Sequence, residues 1–409
     1  MYQQRAEVLA FERDRALKLG VTIVMPCLNE AISLPHCIAN ARDALRMIED
    51  RYGLAGEIVI ADNGSADGSQ ALAESLGARV VPVTRRGYGA ALIGGCRAAY
   101  GDYILMGDCD GSYNFVEGVP MVGKLIEGHD LCMGSRFDGG IAPGAMPWKN
   151  RHIGNPALTG ILNLFFRSGI NDAHCGLRAI SRDAFDKLGL AGEGMEFASE
   201  MVIKASLKQL KITQVPATLS VDLRDRAPHL RPWRDGWRHL RYLLMLSPTW
   251  VFGVPALLAI SAGALILLVT VAHLLGIIGG EPLFGASWTI GAGFLVSVGH
   301  LAAIMALATH FHGVNRGYRS LRPVFRRYAE WLTLETMLIA GALLLVGSIG
   351  GIVALVYYWS QGGFNAMASV TPTVLAFTGA TIAIQNILGG FLLAIINGHR
   401  AELAPGGVA

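Results

Sequence analysis

The chain has 409 residues, of which 52% are hydrophobic and 16% are charged, and its formal net charge is +3. A mean hydropathy of +0.42 excludes an ordinary soluble protein, and nearly all of the excess lies beyond about residue 251. The small net charge gives no argument for a nucleic-acid partner. All six cysteines lie in the first half without C-x-x-C spacing, which argues against a disulfide framework and against a zinc site.

The first half of the chain alternates strand-like and helix-like segments after a charged extension over residues 1–20, which lacks the apolar core of a secretory signal. Strands are predicted over residues 21–25, 57–61, 78–83, 103–106 and 130–133, and helices over residues 32–48, 66–76 and 90–100. This alternation predicts an α/β fold with a mainly parallel sheet that is covered on both faces. Ligands of such sheets bind beyond the carboxyl ends of the strands.

Polar clusters follow four of these strands, at residues 26–30, 62–69, 108–110 and 134–136. Each cluster alone also fits a turn or a helix cap. Four polar strand ends in one half of the chain are less easily accidental, and they predict a binding site at one edge of the sheet.

The third cluster contains Asp108 and Asp110, directly after an apolar strand. Side chains two residues apart on a strand share a face, so the two carboxylates are expected to point the same way. They repel each other unless a cation lies between them, and Mg²⁺ or Mn²⁺ suits oxygen ligands. A solvated turn is the alternative, because Asp and Gly are common turn residues.

The ordered clusters resemble those of inverting family-2 glycosyltransferases with the GT-A nucleotide-diphospho-sugar transferase fold. Within that family the chain is most similar to the polyprenyl-phosphate sugar synthases, such as the dolichyl-phosphate mannose and glucose synthases, over roughly residues 21–240. The resemblance implies a metal site for Mg²⁺ or Mn²⁺ at Asp108 and Asp110. It implies a nucleotide-binding set that consists of Pro26, Asn29, Glu30, Asp62, Asn63, Gly87 and Asp108.

Two members of that set have a second interpretation. The family often has an aspartate where Asn63 stands, and an asparagine can hydrogen-bond a base but carries no charge. Gly87 lies in the segment R-R-G-Y-G before a helix of small residues. Glycines and cations at a helix N-terminus suit a phosphate, although close packing of that helix explains the same pattern.

The segment D-A-H-C-G-L-R, from Asp172 to Arg178, resembles the D-x-x-x-G-x-R element of the family. Glu196 and Glu200 lie four residues apart on a predicted helix, and their apolar neighbours favour a buried role over an exposed face. The residues expected to act in catalysis are Asp108, Asp110, Arg136, Arg178 and Glu200.

The acceptor determines which groups catalysis requires. A lipid phosphate has a second pKa of about 6, so it is already a nucleophile near neutral pH and needs cations rather than a base. The candidate arginines for the acceptor phosphate are Arg136, Arg151, Arg178, Arg226 and Arg231. A sugar-hydroxyl acceptor would instead need a carboxylate base, and the Q-x-x-R-W sequence of processive synthases does not occur in the chain.

Residues 223–250 are rich in arginine and tryptophan. On a helix, Arg234, Arg238 and Arg241 form one stripe, whereas Trp233 and Trp237 lie on another. This pattern is typical of a helix at a membrane interface. A nucleic-acid surface is the rival interpretation, and the position before the apolar segments favours the membrane over nucleic acid.

Four apolar runs, at residues 251–278, 288–311, 333–358 and 373–396, are long enough to cross a bilayer. The connection over residues 313–331 carries five arginines, whereas the other two connections carry no Lys or Arg. The positive-inside rule therefore predicts that the catalytic domain and both termini are cytoplasmic. The many small residues in these runs are consistent with close packing or with a homo-oligomer.

The sequence thus predicts a cytoplasmic GT-A domain over residues 21–222, an interfacial segment over 223–250 and a four-helix membrane domain over 251–409. The predicted activity is transfer of a hexose, with UDP-glucose favoured over GDP-mannose, from a nucleotide sugar to a polyprenyl phosphate. The alternatives are a membrane glycosyltransferase with a hydroxyl acceptor, such as a glycolipid or polysaccharide synthase, and, more remotely, a transporter with a non-catalytic cytosolic domain.

Overall fold

A computed structural model describes residues 20–225, 232–317, 319, 321, 327, 333–365 and 367–398. The chain forms two compact units that divide between Leu246 and Ser247. Arg226 and Arg231, two of the predicted acceptor ligands, lie outside the described residues.

The first unit is built on a seven-stranded sheet with the order β3-β2-β1-β4-β6-β5-β7. The strands are β1 Val21–Cys27, β2 Gly56–Asp62, β3 Arg79–Pro82, β4 Tyr103–Met106, β5 Leu131–Ser135, β6 Arg178–Ser181 and β7 Ile212–Pro216. All pairings are parallel except those of β6, which runs antiparallel to β4 and β5. The predicted α/β fold with a mainly parallel sheet is confirmed, but β6 and β7 were not predicted.

Helices cover both faces of this sheet. They are α1 Leu34–Tyr52, α2 Ser69–Ser75, α3 Tyr88–Ala98, α4 Val119–Ile126, α5 Arg136–Gly139, α6 Asn155–Phe166, α7 Arg182–Leu188, α8 Phe197–Leu207 and α9 Pro232–Met245. Successive residues of β1 enter different cores, since Ile23 and Met25 pack with the α1 side and Val24 packs with the α3 side. A strand that is buried on both faces requires the continuous apolar run seen in the sequence.

Helix α2 begins at Ser69, three residues later than the pattern predicted. The intervening loop is held in a non-helical form by side chains from two strand ends. The Asp62 carboxylate accepts a hydrogen bond from the Gly64 N–H at 2.9 Å, and the Asn29 side-chain oxygen accepts one from the Ala66 N–H at 2.7 Å. These local bonds compete with the first turn of a helix.

The second unit contains four long helices, α10 Val254–Leu274, α11 Ala286–Asn315, α12 Leu334–Gln361 and α13 Thr371–Ile396. By length and composition each can span a membrane, and the first span extends back to Thr249. The predicted four-helix membrane domain is confirmed.

Candidate active site

A cavity of about 400 Å³ lies at the carboxyl ends of β1, β2 and β4 in the first unit. Seven of its lining residues are charged or carry a polar tip, namely Glu30, Asn63, Arg86, Tyr88, Asp108, Asp110 and Arg224. Three of the four predicted polar strand ends therefore contribute to one cavity, because parallel strands present their carboxyl ends at the same edge of the sheet.

Asp110 is a buried carboxylate that the loop after β4 holds in place. One of its oxygens accepts hydrogen bonds from the Ser112 N–H at 2.9 Å and from the Ser112 hydroxyl at 2.6 Å. The other oxygen lies 3.2 Å from the Arg224 guanidinium. One oxygen is thus fixed by the loop, and the other faces the cation.

Asp108 lies beside Asp110, and its negative charge is unfavourable at this position. Burial and the Asp110 charge raise the pKa of Asp108 from 3.8 to about 6, although the Tyr88 hydroxyl hydrogen-bonds to it and acts against the shift. The raised pKa of Asp108 shows that its carboxylate lacks sufficient positive charge around it.

Arg224 supplies positive charge beside these carboxylates, and Arg86 is a second cation that lines the cavity. The Arg224 Nε donates to Glu30 Oε1 at 2.9 Å, and another nitrogen approaches Asp110, so that one guanidinium contacts two carboxylates. The sequence placed Arg224 in the interfacial segment. The structure brings it to a residue 194 positions earlier in the chain, which no local pattern could reveal.

The carboxylates of Asp108 and Asp110 fit a hard divalent ion. Within the described ranges, no group of three or more His, Cys, Asp or Glu side chains is arranged to hold a metal. A Mg²⁺-like ion does not need such a cage, because it is usually bound by one or two carboxylates together with waters and substrate phosphates. The raised pKa of Asp108 indicates the repulsion that such an ion relieves.

The strand end of β2 mainly shapes the wall of the cavity. Asn63 lines the cavity, but its amide nitrogen donates to the Val83 and Arg85 carbonyls at 3.0 and 2.6 Å. Its side-chain oxygen accepts from the Gly87 N–H at 2.8 Å. Asn63 therefore holds the loop that carries Gly87, and little of its amide is left to bind a base.

Asn29 and Asp62 do not line the cavity, in contrast to Pro26, Glu30, Asn63, Gly87 and Asp108. Asp62 is 2% exposed and accepts hydrogen bonds from the Ser65 N–H and the Gln70 amide in addition to that from Gly64. The structure gives Asn29 and Asp62 the task of fixing the loop behind the wall.

Gly87 lies where only a glycine fits. Its φ is +138°, and a Cβ there would lie 2.1 Å from the Glu193 carbonyl oxygen. Its close approach brings the segment before α8 to the cavity, where Met195 forms part of the wall. Arg86, the preceding residue, donates to the Asn63 carbonyl at 2.6 Å.

Arg136 belongs to a second set of charges, which lies outside the lining of the cavity. Its Nε and Nη2 donate to the two Asp172 oxygens at 2.6 and 2.7 Å, and both residues are buried. Burial acts to raise the pKa of Asp172, but the Arg136 hydrogen bonds and charge outweigh it, so that the pKa is lowered. The guanidinium is thus already matched by a carboxylate.

Arg178 and Glu200 are also enclosed by the protein. Arg178 is 1% exposed and donates to the Cys175 and Ala198 carbonyls, with its guanidinium over the Phe197 ring. Glu200 is fully buried, lies 2.8 Å from Lys204 and accepts from the Gly192 N–H at 2.7 Å. The catalytic and acceptor roles assigned to Arg136, Arg178 and Glu200 stay predictions, since none of the three lines the cavity.

The remaining predicted residues are placed as follows. Arg151 is exposed in a short π-helical segment, Asn150–Gly154, directly before α6, and it does not line the cavity. Glu196 immediately precedes α8, and its carboxylate accepts from the Gly194 N–H at 3.0 Å. The sequence reasoning missed Arg224, Tyr88 and Met195 as site residues. Tyr88 follows Gly87 directly, so the R-R-G-Y-G segment was the available signal for it.

The family of the chain follows from its relatives. The model of glycosyl transferase family 2 matches residues 22–189. The low-salt glycan biosynthesis hexosyltransferase Agl6 of Haloferax volcanii is 34% identical over 389 residues, which cover 94% of this chain and 91% of that protein. The chain belongs to glycosyltransferase family 2. The family predicted from the strand-end clusters is therefore confirmed.

Other similarities of this family-2 glycosyltransferase extend to both units. The model of the family-2 C-terminal transmembrane region matches residues 307–397. A dolichyl-phosphate hexose transferase of Haloferax volcanii is 28% identical over 51% of this chain and 84% of its own length. A structure of glucosyl-3-phosphoglycerate synthase from Mycobacterium tuberculosis with Mn²⁺, uridine diphosphate and glucosyl-3-phosphoglycerate aligns with a TM-score of 0.43 at 23% identity, covering 58% of this chain and 83% of that chain.

Proposed function

We propose that this family-2 glycosyltransferase uses a divalent metal ion to move a hexose from a nucleotide sugar to a polyprenyl phosphate, with inversion at the sugar. The observation that carries the proposal is the arrangement of Asp108, Asp110, Glu30 and Arg224 around one cavity at the strand ends. The four candidate spans support an acceptor that resides in a membrane. UDP-glucose is the favoured donor, and GDP-mannose is the alternative.

The donor is held by the walls of the cavity. Pro26 and Asn63 form the wall beside the nucleoside, and the loop from Arg86 to Tyr88 at the start of α3, which includes Gly87, faces the diphosphate. Asp108 and Asp110 hold Mg²⁺ or Mn²⁺, which when bound neutralises charge on the leaving diphosphate. Arg224, which contacts Glu30 and Asp110, adds positive charge on the same side of the cavity for the diphosphate.

The acceptor phosphate needs no general base. With a second pKa of about 6 it attacks the anomeric carbon as a dianion, from the face opposite the diphosphate, while the bond from that carbon to the diphosphate oxygen breaks. This chemistry suits a site in which Glu200, the predicted catalytic carboxylate, is already neutralised by Lys204. Arg151, Arg226 and Arg231 remain candidates for positioning the acceptor phosphate.

Arg136 and Arg178 act indirectly in this proposal. They hold the segment from Asp172 to Arg178, and Gly176 in that segment packs against Asp108, where a Cβ would lie 2.6 Å from the carboxylate oxygen. The segment therefore supports Asp108 from behind.

The arginine-rich connection over residues 313–331 supports a cytoplasmic location for the catalytic unit.

Two relatives support the acceptor and the sugar class. One is a hexosyltransferase of glycan biosynthesis, and the other is a dolichyl-phosphate hexose transferase.

The test is a transfer assay with the purified full-length protein in detergent, Mg²⁺ or Mn²⁺, and labelled UDP-glucose or GDP-mannose. Polyprenyl phosphate and the polyprenol of the same length serve as matched acceptors. We expect a labelled lipid with the phosphate only, more of it from UDP-glucose, and none with a chelator. Product with the alcohol alone would refute the lipid-phosphate proposal, and nucleotide binding without transfer to either acceptor would favour the transporter alternative.

A further inference from the structure

Two cysteines lie side by side at the ends of neighbouring strands in the donor cavity. Strand β1 pairs with β4 in parallel register, with Val24 opposite Met106. Continuing the same register by three residues brings Cys27 opposite Cys109. Adjacent strands lie about 4.7–4.9 Å apart, which is within the 4.4–6.8 Å that the Cα atoms of a disulfide span.

The side-chain contacts bring the Cys109 thiol to the backbone beside Cys27. The Cys109 thiol donates to the Pro26 carbonyl, one residue before Cys27, at 2.7 Å. The Cys27 sulfur lies 3.8 Å from the Ser65 hydroxyl. Both residues belong to the same core cluster, so they are on the same face of the sheet.

Small reagents can reach this pair only through the donor cavity. Cys27 and Cys109 both line the cavity, but each is at most 2% exposed. The structure describes all six cysteines, and the other four do not line this cavity. A nucleotide in the cavity would therefore cover the two thiols.

A covalent bond at this position would act on the metal ligands. Cys109 lies between Asp108 and Asp110, and its carbonyl accepts a hydrogen bond from the Ser33 hydroxyl at 2.6 Å. A bond to Cys27 would pull the loop toward β1 and away from this anchor. A binding site tolerates displacements of only about 0.5 Å, so the two carboxylates would lose their common geometry.

We propose that Cys27 and Cys109 form a thiol-pair modification site, in which a disulfide joins the two strand ends and closes the donor site. A low-molecular-weight disulfide is the oxidant. The thiolate of one cysteine attacks it and expels one thiolate, and the second cysteine then attacks the mixed disulfide and expels the other. Two protein thiols are oxidised, and one small disulfide is reduced to two thiols, which take up the two protons.

The test treats the full-length protein with oxidised glutathione and follows two properties, the cross-linked peptides by mass spectrometry and the affinity for UDP and GDP in the presence of Mn²⁺ by calorimetry. We expect a cross-link between residues 27 and 109, an affinity at least about tenfold weaker after oxidation, and full recovery on reduction with dithiothreitol. Prior saturation with the nucleotide and Mn²⁺ should slow the cross-linking.

The matched variants are Cys27→Ser, Cys109→Ser and, as a control, Cys96→Ser. Each is compared with its own untreated sample, so a change in basal affinity does not affect the result. Oxidation should not change the nucleotide affinity of Cys27→Ser or Cys109→Ser. It should weaken the affinity of Cys96→Ser as it does that of the wild type. Cross-links at other pairs only, or a 27–109 cross-link with unchanged affinity, would overturn the inference. Because neither readout requires transfer, the inference can fail or succeed independently of the proposed acceptor.

Discussion

Two groups of buried or half-buried charges lie in the first unit, and burial alone does not distinguish them. The cavity group consists of Glu30, Asp108, Asp110 and Arg224, and the closed group consists of Arg136, Asp172, Glu200 and Lys204. Glu30 and Asp110 are 5% and 7% exposed, and Arg136 and Lys204 are 7% and 8% exposed.

The groups differ in their charge balance. Each cation of the closed group has one carboxylate at 2.6–2.8 Å, so that its charges cancel. The cavity group has three carboxylates and one guanidinium. Arg86 also lines the cavity, and the carboxylates still outnumber the cations. Negative charge that the protein does not neutralise, rather than buried charge as such, indicates where a cation and a diphosphate bind.

Replacement of Arg136 gives the largest expected effect and separates structure from catalysis. Arg136→Met leaves the buried Asp172 carboxylate with two backbone N–H donors but no cation, and we expect the free energy of unfolding to fall by about 3–5 kcal/mol. The double variant Arg136→Met/Asp172→Leu should recover most of it, because no unpaired charge remains. Thermal unfolding measures both. A single variant as stable as the wild type, but with a raised KM for the acceptor, would restore Arg136 to the acceptor site.

Replacement of Asp110 acts on the cavity group. Asp110→Asn removes half of the proposed metal site, and we expect turnover to fall by about 10²–10³-fold while the protein remains folded and membrane-inserted. Asp186→Asn, at an exposed position on α7, is the matched control and should keep its activity. Near-normal turnover of Asp110→Asn would remove this residue from the mechanism.

The strand ends of the cavity and the four spans could be predicted from the sequence, because short stretches of the chain identify them. The strand ends at residues 26–30, 62–69 and 108–110 were found because short apolar runs precede them and parallel sheets gather such ends at one edge. The four spans were found because length and hydropathy suffice to identify them.

What could not be predicted depends on distant contacts. Arg224 resembled its interfacial neighbours in sequence, and only the tertiary fold brings it to Glu30. Arg136 and Arg178 carried the charge that an acceptor phosphate needs, but no pattern in the chain shows that Asp172 and two carbonyls already occupy them. Strand β6 was missed because its first residue, Arg178, belongs to a motif that was interpreted through its polar residues.

Replacement of Arg224, in the cavity group, is expected to have a smaller effect than replacement of Asp110. Arg224→Gln removes the one cation of the cavity group, and we expect about 10- to 100-fold weaker binding of the nucleotide sugar, as is typical of a lost charged hydrogen bond. Calorimetry in the presence of Mn²⁺ measures this effect. Arg97→Gln, on the exposed side of α3, is the control. Equal affinities for the two variants would contradict a donor role for Arg224.

The smallest expected effect is a pH dependence. The pKa of Asp108 is raised to about 6, so its protonated form is favoured by the fold. Its contribution to stability is therefore present below about pH 4 and is lost as the pH rises through 6. A divalent ion binds the carboxylate, so the gain in Tm on adding Mn²⁺ should be small at pH 5 and larger at pH 7. A gain independent of pH would exclude Asp108 as a ligand that must lose a proton.

The most direct test of the account is metal-dependent nucleotide binding by variants of both groups. The affinity for UDP and GDP is measured by calorimetry with Mn²⁺ and with a chelator, in the wild type, in Asp110→Asn and in Arg136→Met/Asp172→Leu. We predict that Asp110→Asn loses the Mn²⁺-dependent part of the affinity and that the double variant keeps it. Loss in the double variant together with retention in Asp110→Asn would contradict the assignment of the donor site.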